Sequence, residues 1–404
     1  MYLVMNFLIK QGVRKLEIGR NNTERRRIKI LHVVIGLNMG GIQEVVSNIF
    51  KGIDRERFEL TACAIEDTGI IGKEIEGAGF EVIVLHYKKQ PLRTIYALLK
   101  IIKKKRIDIV HAASYHPSLY ARIAGMLAGV PILISHEHGL NIRKRPQRVI
   151  LNRWLEPITD CFIAVGQSMA SQVIDWYGYD ENKVVVIPNG VDTEKFAPPD
   201  SRENAKRKLG LDPERLVVGM LCRLDPDKGH RYFFEAVKLL RDRFDVQWVV
   251  VGGGIESAKV VVMQEAKDLS VDSTIRFMGV RRDVADWVAA FDCYVLPTLR
   301  EGGCPISVLE AMSAACPVVV SDFPTNLEVI THGINGLVAP VGDSRQLAQR
   351  IEELLTDADL RRRLGAEARR YIEIHRSIKQ YADKIMDIYE RLWNDKKGTG
   401  ECEK

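Results

Sequence analysis

Residues 295–312 of the chain read VLPTLREGGCPISVLEAM. An apolar run ends at Pro297, a loop with two glycines follows, and Pro305 stands where a helix would take its first turn. The pattern therefore predicts a strand, a loop and a helix in direct succession. Such a helix start presents unpaired backbone N–H groups and a partial positive charge, which favour a bound phosphate or another anion.

Two carboxylates accompany this loop and helix start. Glu301 lies in the loop, and Glu310 lies one to two turns into the predicted helix. Carboxylates repel phosphate and accept hydrogen bonds from hydroxyl groups, so the pair favours a sugar attached to a phosphate over a free anion. The alternative is that Glu301 is solvated and that Glu310 is an ordinary exposed helix residue.

The same order of strand, loop and helix recurs along the chain. Apolar runs alternate with segments of helical period, such as residues 91–104. This alternation predicts parallel, doubly wound sheets. The predicted strands are 28–35, 60–65, 82–85, 107–112, 132–135, 161–165, 184–187, 216–222, 248–251, 275–278, 291–296 and 318–321.

A polar segment near residue 200 divides this alternation into two halves. We predict an α/β chain with one Rossmann-like domain at 28–194, a second at 195–375, and a cleft between the carboxyl ends of their strands. Residues 376–404 are predicted to form a helix that packs back on the first domain, followed by a tail. Residues 1–27 are predicted to be a disordered extension, with a short interfacial anchor as the alternative.

The composition narrows the class of protein. The chain has 404 residues, 46% of them hydrophobic, and no run of about 18 apolar residues that would span a membrane. Its seven cysteines lack a C-x-x-C pair, which indicates reduced thiols and a cytoplasmic protein.

Positive charge is concentrated in residues 86–153, which contain 14 Lys and Arg against two acids, Asp108 and Glu137. No nucleic-acid module accompanies these charges, so we expect no nucleic acid as a partner. A lipid-linked phosphate, or peripheral contact with the anionic inner face of a membrane, fits the charge at least as well as nucleic acid does.

Two cations follow the first strand of the second predicted domain. Arg223 ends that strand, and Lys228 precedes the next helix. A guanidinium and an ammonium at a strand end can neutralise a diphosphate. The intervening Asp225-Pro226-Asp227 resembles a metal-binding D-x-D, but we interpret it as a turn, because acids beside phosphate-binding cations would pair with them.

Glycine loops follow two other predicted strands. Gly40 and Gly41 precede a helix, and Gly252 opens a run of three glycines that lacks the G-x-G-x-x-G spacing of a dinucleotide site.

Histidines follow the strand at 132–135. His136 and His138 would point to one face of a continuing strand, yet no third ligand completes a zinc site, so we expect no metal. We choose His138 as a residue that hydrogen-bonds a sugar hydroxyl, with His111 as a weaker candidate.

The ordered set of motifs resembles the retaining nucleotide-sugar glycosyltransferases of family 4, whose fold, GT-B, has two facing Rossmann-like domains. The resemblance runs from about residue 28 to residue 393. Each motif is modest, whereas the ordered set is specific. The matching segments are Gly40-Gly41-x-x-Glu44, Glu137-His138-Gly139, 187–192 (IPNGVD), Arg223 with Lys228-Gly229, 250–254 (VVGGG), 277–279 (FMG), 301–310 and 335–338 (NGLV).

The resemblance implies that the domain at 28–194 faces the acceptor and that the domain at 195–375 binds the nucleotide sugar. It also implies roles for individual residues. Arg223 and Lys228 would hold the donor diphosphate, Glu301 the hydroxyls of the donor sugar, and Glu310 the ribose of the nucleotide. His138 would lie near the reacting sugar. The other residues expected to contact donor or acceptor are Gly40, Gly41, Gly252, Gly302, Gly303, Cys304 and Pro305.

The implied reaction moves a sugar from a UDP- or GDP-linked donor to a polysaccharide, glycolipid or lipid-linked acceptor, as in cell-envelope polysaccharide biosynthesis. It would retain the anomeric configuration and need no cofactor or metal, because cations and helix dipoles stabilise the leaving diphosphate. Two alternatives are a nucleotide-sugar epimerase and a non-catalytic subunit that binds a nucleotide sugar. The nucleotide base, the sugar, the acceptor and the linkage depend on loop shapes that these motifs do not specify.

The sequence departs from the family pattern in two places. The usual E-x7-E spacing is E-x8-E from Glu301 to Glu310, with one extra residue around Gly303. In addition, Ala315 and residues 323–326 stand where the family commonly has glycines. The first departure bears on how Glu301 reaches the sugar, and the second on donor preference.

Overall fold

A computed structural model describes residues 26–38, 40–139, 145–303 and 305–399, which divide into two compact units. The first unit comprises the described residues up to Pro188 and those from Tyr381 onward, and the second is Asn189–Gln380. The division falls at Asn189 rather than at the predicted residue 195. The reason is that the N–H of Val191 donates to the carbonyl of Arg376 (2.8 Å), which joins the segment after Pro188 to the second unit.

The first unit contains a parallel sheet of seven strands in the order β3-β2-β1-β4-β5-β6-β7. Its strands consist largely of apolar residues, as expected for a parallel sheet with helices on both faces. The strands are β1 Ile28–Val34, β2 Phe58–Ala64, β3 Glu81–Val84, β4 Ile109–Ala113, β5 Ile132–Glu137, β6 Cys161–Ala164 and β7 Val184–Val186. The helices are α1 Gly41–Gly52, α2 Gly69–Gly77, α3 Pro91–Lys105, α4 Tyr115–Ala128, α5 Pro146–Leu155 and α6 Gln167–Gln172.

The second unit contains a parallel sheet of six strands in the order β10-β9-β8-β11-β12-β13. The strands are β8 Leu216–Leu221, β9 Val246–Val251, β10 Ile275–Phe277, β11 Cys293–Leu296, β12 Val318–Ser321 and β13 Leu337–Ala339. The helices are α7 Arg202–Lys208, α8 His230–Leu240, α9 Glu256–Asp268, α10 Val284–Ala290, α11 Ile306–Ser313, α12 Pro324–Leu327, α13 Ser344–Thr356 and α14 Ala358–His375.

The last helix, α15 (Ile378–Thr399), belongs to the first unit from Tyr381 onward. Its Tyr389 ring lies 5.7 Å from the ring of Phe58 in β2, and the N–H of Asp54 contacts the sulfur of Met386 at 3.3 Å. The end of the helix therefore completes the core of the first unit.

Each sheet has one point at which the strand order reverses, between β1 and β4 in the first unit and between β8 and β11 in the second. Loops on either side of such a point leave in opposite directions, so a crevice opens outside the carboxyl ends of the strands. These two switch points are the places where the fold itself predicts ligands.

Two details differ from what the sequence predicts. The short strand β13 was not predicted; it pairs in parallel with β12, with Val319 opposite Leu337. Arg26, assigned to a disordered extension, is ordered because its guanidinium forms two hydrogen bonds with the carboxylate of Asp108 (2.8 and 2.7 Å). The rest of that extension, residues 1–25, lies outside the described residues. Within the described ranges, no helix is both long enough and apolar enough to cross a membrane.

Candidate active site

In the second unit, the loop between β11 and α11 is held by the loop that follows β8. The carbonyl of Asp227 accepts the N–H of Leu299 (2.8 Å) and lies 3.1 Å from the hydroxyl of Thr298. The hydroxyl of Ser321 donates to the carbonyl of Thr298 (2.6 Å) and ties the same loop to the end of β12. The two loops that flank the switch point are therefore held together.

Lys228 and Glu301 form an ion pair between these two loops. Their side chains are only 14% and 13% exposed, and the hydroxyl of Thr298 lies 3.2 Å from the Glu301 carboxylate. The alternative that Glu301 is a solvated loop residue is therefore wrong. The structure brings together two predicted site residues that are 73 positions apart in the chain.

Helix α11 begins at Ile306, and Pro305 is its N-cap residue rather than part of its first turn. The hydroxyl of Tyr294 in β11 donates to the carbonyl of Leu221 (3.0 Å) and lies 2.7 Å from the hydroxyl of Ser307. These contacts fix the start of the helix against β8 and β11.

Glu310 lies in the middle of α11 and is 7% exposed. The alternative that it is an ordinary exposed helix residue is therefore wrong. Gly302 and Gly303 are buried as well, while Cys304 lies outside the described residues.

Arg223 does not join the pair of Lys228 and Glu301. Its side chain is 73% exposed and lies 3.4 Å from the carboxylate of Asp225. That carboxylate also accepts the N–H of Asp227 (3.1 Å) and caps the short 3₁₀ helix Pro226–Lys228. The interpretation of this segment as a turn is confirmed.

Two glycines let neighbouring loops approach closely at the switch point. Gly229 has φ +77°, and a Cβ there would lie 1.9 Å from the carbonyl oxygen of Pro297. Gly252 has φ +140°, and a Cβ there would lie 1.8 Å from the carbonyl oxygen of Cys222. Any side chain at either position would push the loops apart.

In the first unit, Gly40 and Gly41 form the start of α1, close to the end of β1. Gly41 is the first helical residue, and Gly40 precedes it in an extended conformation. The carbonyl of Gly40 accepts the N–H of Glu44 (3.0 Å). The two glycines therefore lie at the carboxyl edge of the sheet, as predicted.

Four histidines form a row across the first sheet, which we call the histidine row: His32 in β1, His111 in β4, His136 in β5 and His138 just after it. Consecutive ring centroids lie 4.4, 5.3 and 4.2 Å apart. Nε2 of His111 lies 3.1 Å from Nδ1 of His136, and Nδ1 of His111 lies 2.6 Å from the hydroxyl of Tyr389.

The histidine row is neutral at physiological pH. Burial lowers the pKa of His32 to about 3 and that of His138 to about 4, and it holds the pKa values of His111 and His136 well below their ordinary range. Neither ring nitrogen of His138 has a hydrogen-bond partner among the described residues. His138 can therefore offer one donor and one acceptor to a sugar hydroxyl.

A pocket of about 330 Å³ lies on the first unit at its switch point. It is bordered by residues that directly follow β1 and β4 and by the end of β5. Burial raises the pKa of Glu137 to about 7, against the opposing effect of the Arg122 and Arg148 guanidinium groups. The residues that line the pocket include Ile35, Ile42, Ser114, Tyr115, Glu137 and Arg148.

Neither the place of His32 and His136 in the row nor the position of Glu137 in this pocket was predicted from the sequence. Their positions in the sequence could have indicated these roles, because His32, His136 and Glu137 lie in the later part of strands at or next to the switch point. Among the described residues, no group of three or more His, Cys, Asp or Glu side chains is placed to hold a metal ion. Metal-independent chemistry stays a prediction.

Comparison with known proteins gives matches along both units. Residues 39–195 match Glycosyltransferase Family 4, and residues 215–357 match Glycosyl transferases group 1. A UDP-Gal:alpha-D-GlcNAc-diphosphoundecaprenol alpha-1,3-galactosyltransferase of Escherichia coli is 29% identical over 90% of this chain and 97% of its own length. An N,N'-diacetylbacillosaminyl-diphospho-undecaprenol alpha-1,3-N-acetylgalactosaminyltransferase of Campylobacter jejuni is 26% identical over 73% of this chain and 82% of its own.

Among solved structures, Anabaena HepE in complex with UDP-glucose superposes with a TM-score of 0.79 at 21% identity. The match covers 90% of this chain and all of HepE. At that identity the likeness shows the fold alone. The predicted fold class, two Rossmann-like doubly wound domains of the GT-B type, is confirmed.

Proposed function

Because the chain belongs to glycosyltransferase family 4, we propose that it transfers a sugar from a nucleotide-sugar donor to a lipid-linked or glycan acceptor, with retention and without a metal ion. The observation that carries the proposal is the buried pair of Lys228 and Glu301 at the switch point of the second sheet. A cation for phosphate and a carboxylate for hydroxyls meet there, as the two halves of a nucleotide sugar require.

The ion pair suggests how the donor is received. The diphosphate takes the place of the carboxylate on Lys228, and Glu301 turns to the hydroxyls of the donor sugar. Arg223, which is exposed, supplies a second cation, while the start of α11 supplies backbone N–H groups. The buried Glu310 is proposed to accept hydrogen bonds from the ribose.

These groups also stabilise the charge that develops as the diphosphate leaves. Fixed cations and helix dipoles do so without reorganisation during the reaction, which is why no metal is needed. Retention follows if the acceptor attacks from the face that the diphosphate leaves, with a phosphate oxygen taking the acceptor proton. His138, neutral and without a partner among the described residues, is proposed to contact the reacting sugar.

The proposed acceptor is a sugar carried on a lipid diphosphate at the cytoplasmic face of a membrane. Two relatives are described by name as transferases to sugars on diphosphoundecaprenol. The excess of Lys and Arg in residues 86–153 suits an anionic lipid surface. Because HepE is described in complex with UDP-glucose, a UDP-sugar is the first donor to test.

The test measures release of nucleoside diphosphate from UDP-, GDP- and ADP-sugars, with a chelator present and N-acetylglucosamine diphosphate on a short lipid as acceptor. We expect one donor to support release, and NMR of the product to show the anomeric configuration of the donor. Release without any donor preference, or only on addition of a divalent metal, would contradict the proposal. Formation of an epimerised nucleotide sugar without acceptor would favour an epimerase.

Variants of the ion pair separate its two roles. Lys228→Met should weaken UDP binding about 10–100-fold, the effect of losing a charge-assisted hydrogen bond. Glu301→Gln should leave UDP binding equal or tighter, because it removes the competing carboxylate, and should still abolish transfer. Glu256→Gln, the same exchange at an exposed position of the second unit, is the matched control. Weaker UDP binding in Glu301→Gln would assign Glu301 to the structure of the loop instead.

A further inference from the structure

Thr298, the second residue after β11, is held in place by two neighbouring segments of the second unit. The hydroxyl of Ser321, at the end of β12, donates to the carbonyl of Thr298 (2.6 Å). The N–H of the next residue, Leu299, donates to the carbonyl of Asp227 in the loop that follows β8 (2.8 Å). Thr298 itself is fully buried. The fold therefore determines where its hydroxyl lies.

Ser321 is in turn held by Asn326 of α12. The side-chain nitrogen of Asn326 donates to the carbonyl and to the hydroxyl oxygen of Ser321 (3.0 and 3.3 Å), and both side chains are buried. Because a carbonyl can only accept, the amide nitrogen of Asn326 must face Ser321. The Ser321 hydroxyl therefore accepts from Asn326 and keeps its own proton for the carbonyl of Thr298.

The hydroxyl of Thr298 has one proton and three acceptors within reach. The carbonyl of Asp227 lies at 3.1 Å, while the carbonyl of Arg300 and Oε1 of Glu301 both lie at 3.2 Å. The carbonyl of Asp227 already accepts the N–H of Leu299. A hydrogen bond to a carboxylate is roughly twice as strong as one between neutral groups. The proton of the hydroxyl is therefore donated to Glu301.

The carboxylate of Glu301 needs this hydrogen bond once the donor has bound. In the free protein Lys228 neutralises the carboxylate, whose side chain is largely buried. When the diphosphate takes Lys228, as proposed above, the carboxylate loses its cation and lies near another anion. A buried charge costs free energy unless hydrogen-bond donors surround it. Thr298 is such a donor, and its contacts do not involve Lys228.

We propose that Thr298 is a positioning residue for Glu301, supported by Ser321 and Asn326. The hydroxyl of Thr298 holds one oxygen of the Glu301 carboxylate, which directs the other oxygen to the hydroxyls of the donor sugar. The proposal rests on the transferase function proposed above and deepens it, because recognition of the sugar then depends on a buried residue that does not touch it.

The test separates recognition of the sugar from recognition of the nucleotide. Titration calorimetry would measure Kd values for UDP, GDP and ADP and for the UDP-, GDP- and ADP-sugars of the release assay. Thr298→Val removes the hydroxyl and keeps the branched shape. We expect it to leave the Kd of the nucleoside diphosphate within about twofold and to weaken the nucleotide sugar about tenfold. Thr298→Ser, which keeps the hydroxyl, should bind both as the wild type does.

Thr94→Val is the matched control for loss of stability. Thr94 is also fully buried, and its hydroxyl donates to a backbone carbonyl, that of Gln90 in the first unit (2.8 Å). Both valine variants should lower Tm, whereas only Thr298→Val should weaken the nucleotide sugar. Ser321→Ala is a milder second variant, since it removes a support of Thr298 and leaves the hydroxyl of Thr298 in place. It should weaken the nucleotide sugar less than Thr298→Val does.

A double variant shows whether Thr298 acts through Glu301. In Glu301→Ala no carboxylate is left to hold, so adding Thr298→Val should weaken the nucleotide sugar no further. Additive losses of affinity would overturn the proposal. Equal losses for the nucleotide and the nucleotide sugar in Thr298→Val would also overturn it, as would a failure of Thr298→Ser to bind like the wild type.

The transfer assay separates this proposal from the function on which it rests. If transfer occurs, an unchanged kcat/KM for the donor in Thr298→Val overturns the role of Thr298 and leaves the transferase function intact. A nucleotide sugar that binds in a manner dependent on Thr298, without transfer to any acceptor, supports that role and contradicts the transferase function. If no nucleotide sugar binds the wild type, both are overturned.

Discussion

Nδ1 of His111 in β4 and the hydroxyl of Tyr389 in the C-terminal helix lie 2.6 Å apart in the core of the first unit. Both residues are fully buried. The bond connects residues 278 positions apart and joins the C-terminal helix to the histidine row that ends at His138. The C-terminal helix therefore helps to hold the histidine row, and with it the candidate catalytic residue His138, in position.

The first prediction concerns this bond. Tyr389→Phe should destabilise the protein by about 1–3 kcal/mol, because it leaves a ring nitrogen of His111 buried without its partner. Urea unfolding would measure the change. Tyr381→Phe is the matched control on the same helix, since the buried hydroxyl of Tyr381 has no partner among the described residues. That control should be neutral or slightly stabilising, and an equal loss in both variants would contradict the prediction.

The second prediction concerns acid sensitivity. An unfolded histidine binds its proton near pH 6.5, whereas His32 and His138 in the folded state bind theirs only near pH 3 and 4. Between these values the unfolded chain binds more protons than the folded protein does. The contribution of the two neutral histidines to stability is therefore fully present above pH 6.5 and is lost as the pH is lowered. Between pH 6.5 and pH 5, the free energy of unfolding of His32→Leu should therefore decrease by about 2 kcal/mol less than that of the wild type.

Urea titrations at pH 7.5, 6.5 and 5 would test this expectation. His86→Asn is the control, because His86 is exposed and has φ +58°, a conformation that asparagine tolerates. Its stability should follow the pH dependence of the wild type. If the stability of His32→Leu fell with pH as steeply as that of the wild type, His32 would not contribute to the loss of stability in acid.

The third prediction concerns Glu137 and has the opposite sign. Its pKa is about 7 in the folded state and about 4.5 when unfolded, so the folded state holds more protons between these values and stability falls as the pH rises. Glu137→Gln cannot ionise, and its stability relative to the wild type should improve by about 2 kcal/mol from pH 5 to pH 8. Thermal melts of the wild type and the variant at both pH values, with Glu74→Gln at an exposed position of α2 as control, would measure this change in relative stability. A constant difference would mean that Glu137 is ionised throughout.

The fourth prediction concerns the loop contact beside Lys228. Gly229→Ala and Gly210→Ala both place an alanine at positive φ, which costs about 1–2 kcal/mol. At Gly210 the new Cβ meets nothing within 4 Å, whereas at Gly229 it would overlap the carbonyl of Pro297. Gly229→Ala should therefore be clearly less stable than Gly210→Ala and should bind UDP more weakly. Equal Tm values would indicate that the loop moves freely.

The amino-acid sequence by itself determined the two α/β units, the order of their strands and helices, and the loop chemistry around Glu301. Apolar periodicity, glycines and prolines act on their near neighbours in the chain, so their effect can be read locally. The tertiary structure alone decided that Lys228 pairs with Glu301, that Glu310 is buried, that four histidines form a row, and that Glu137 lines a pocket at the switch point. Each of these depends on which strands become neighbours, because parallel pairing brings together residues that the sequence separates by whole helices.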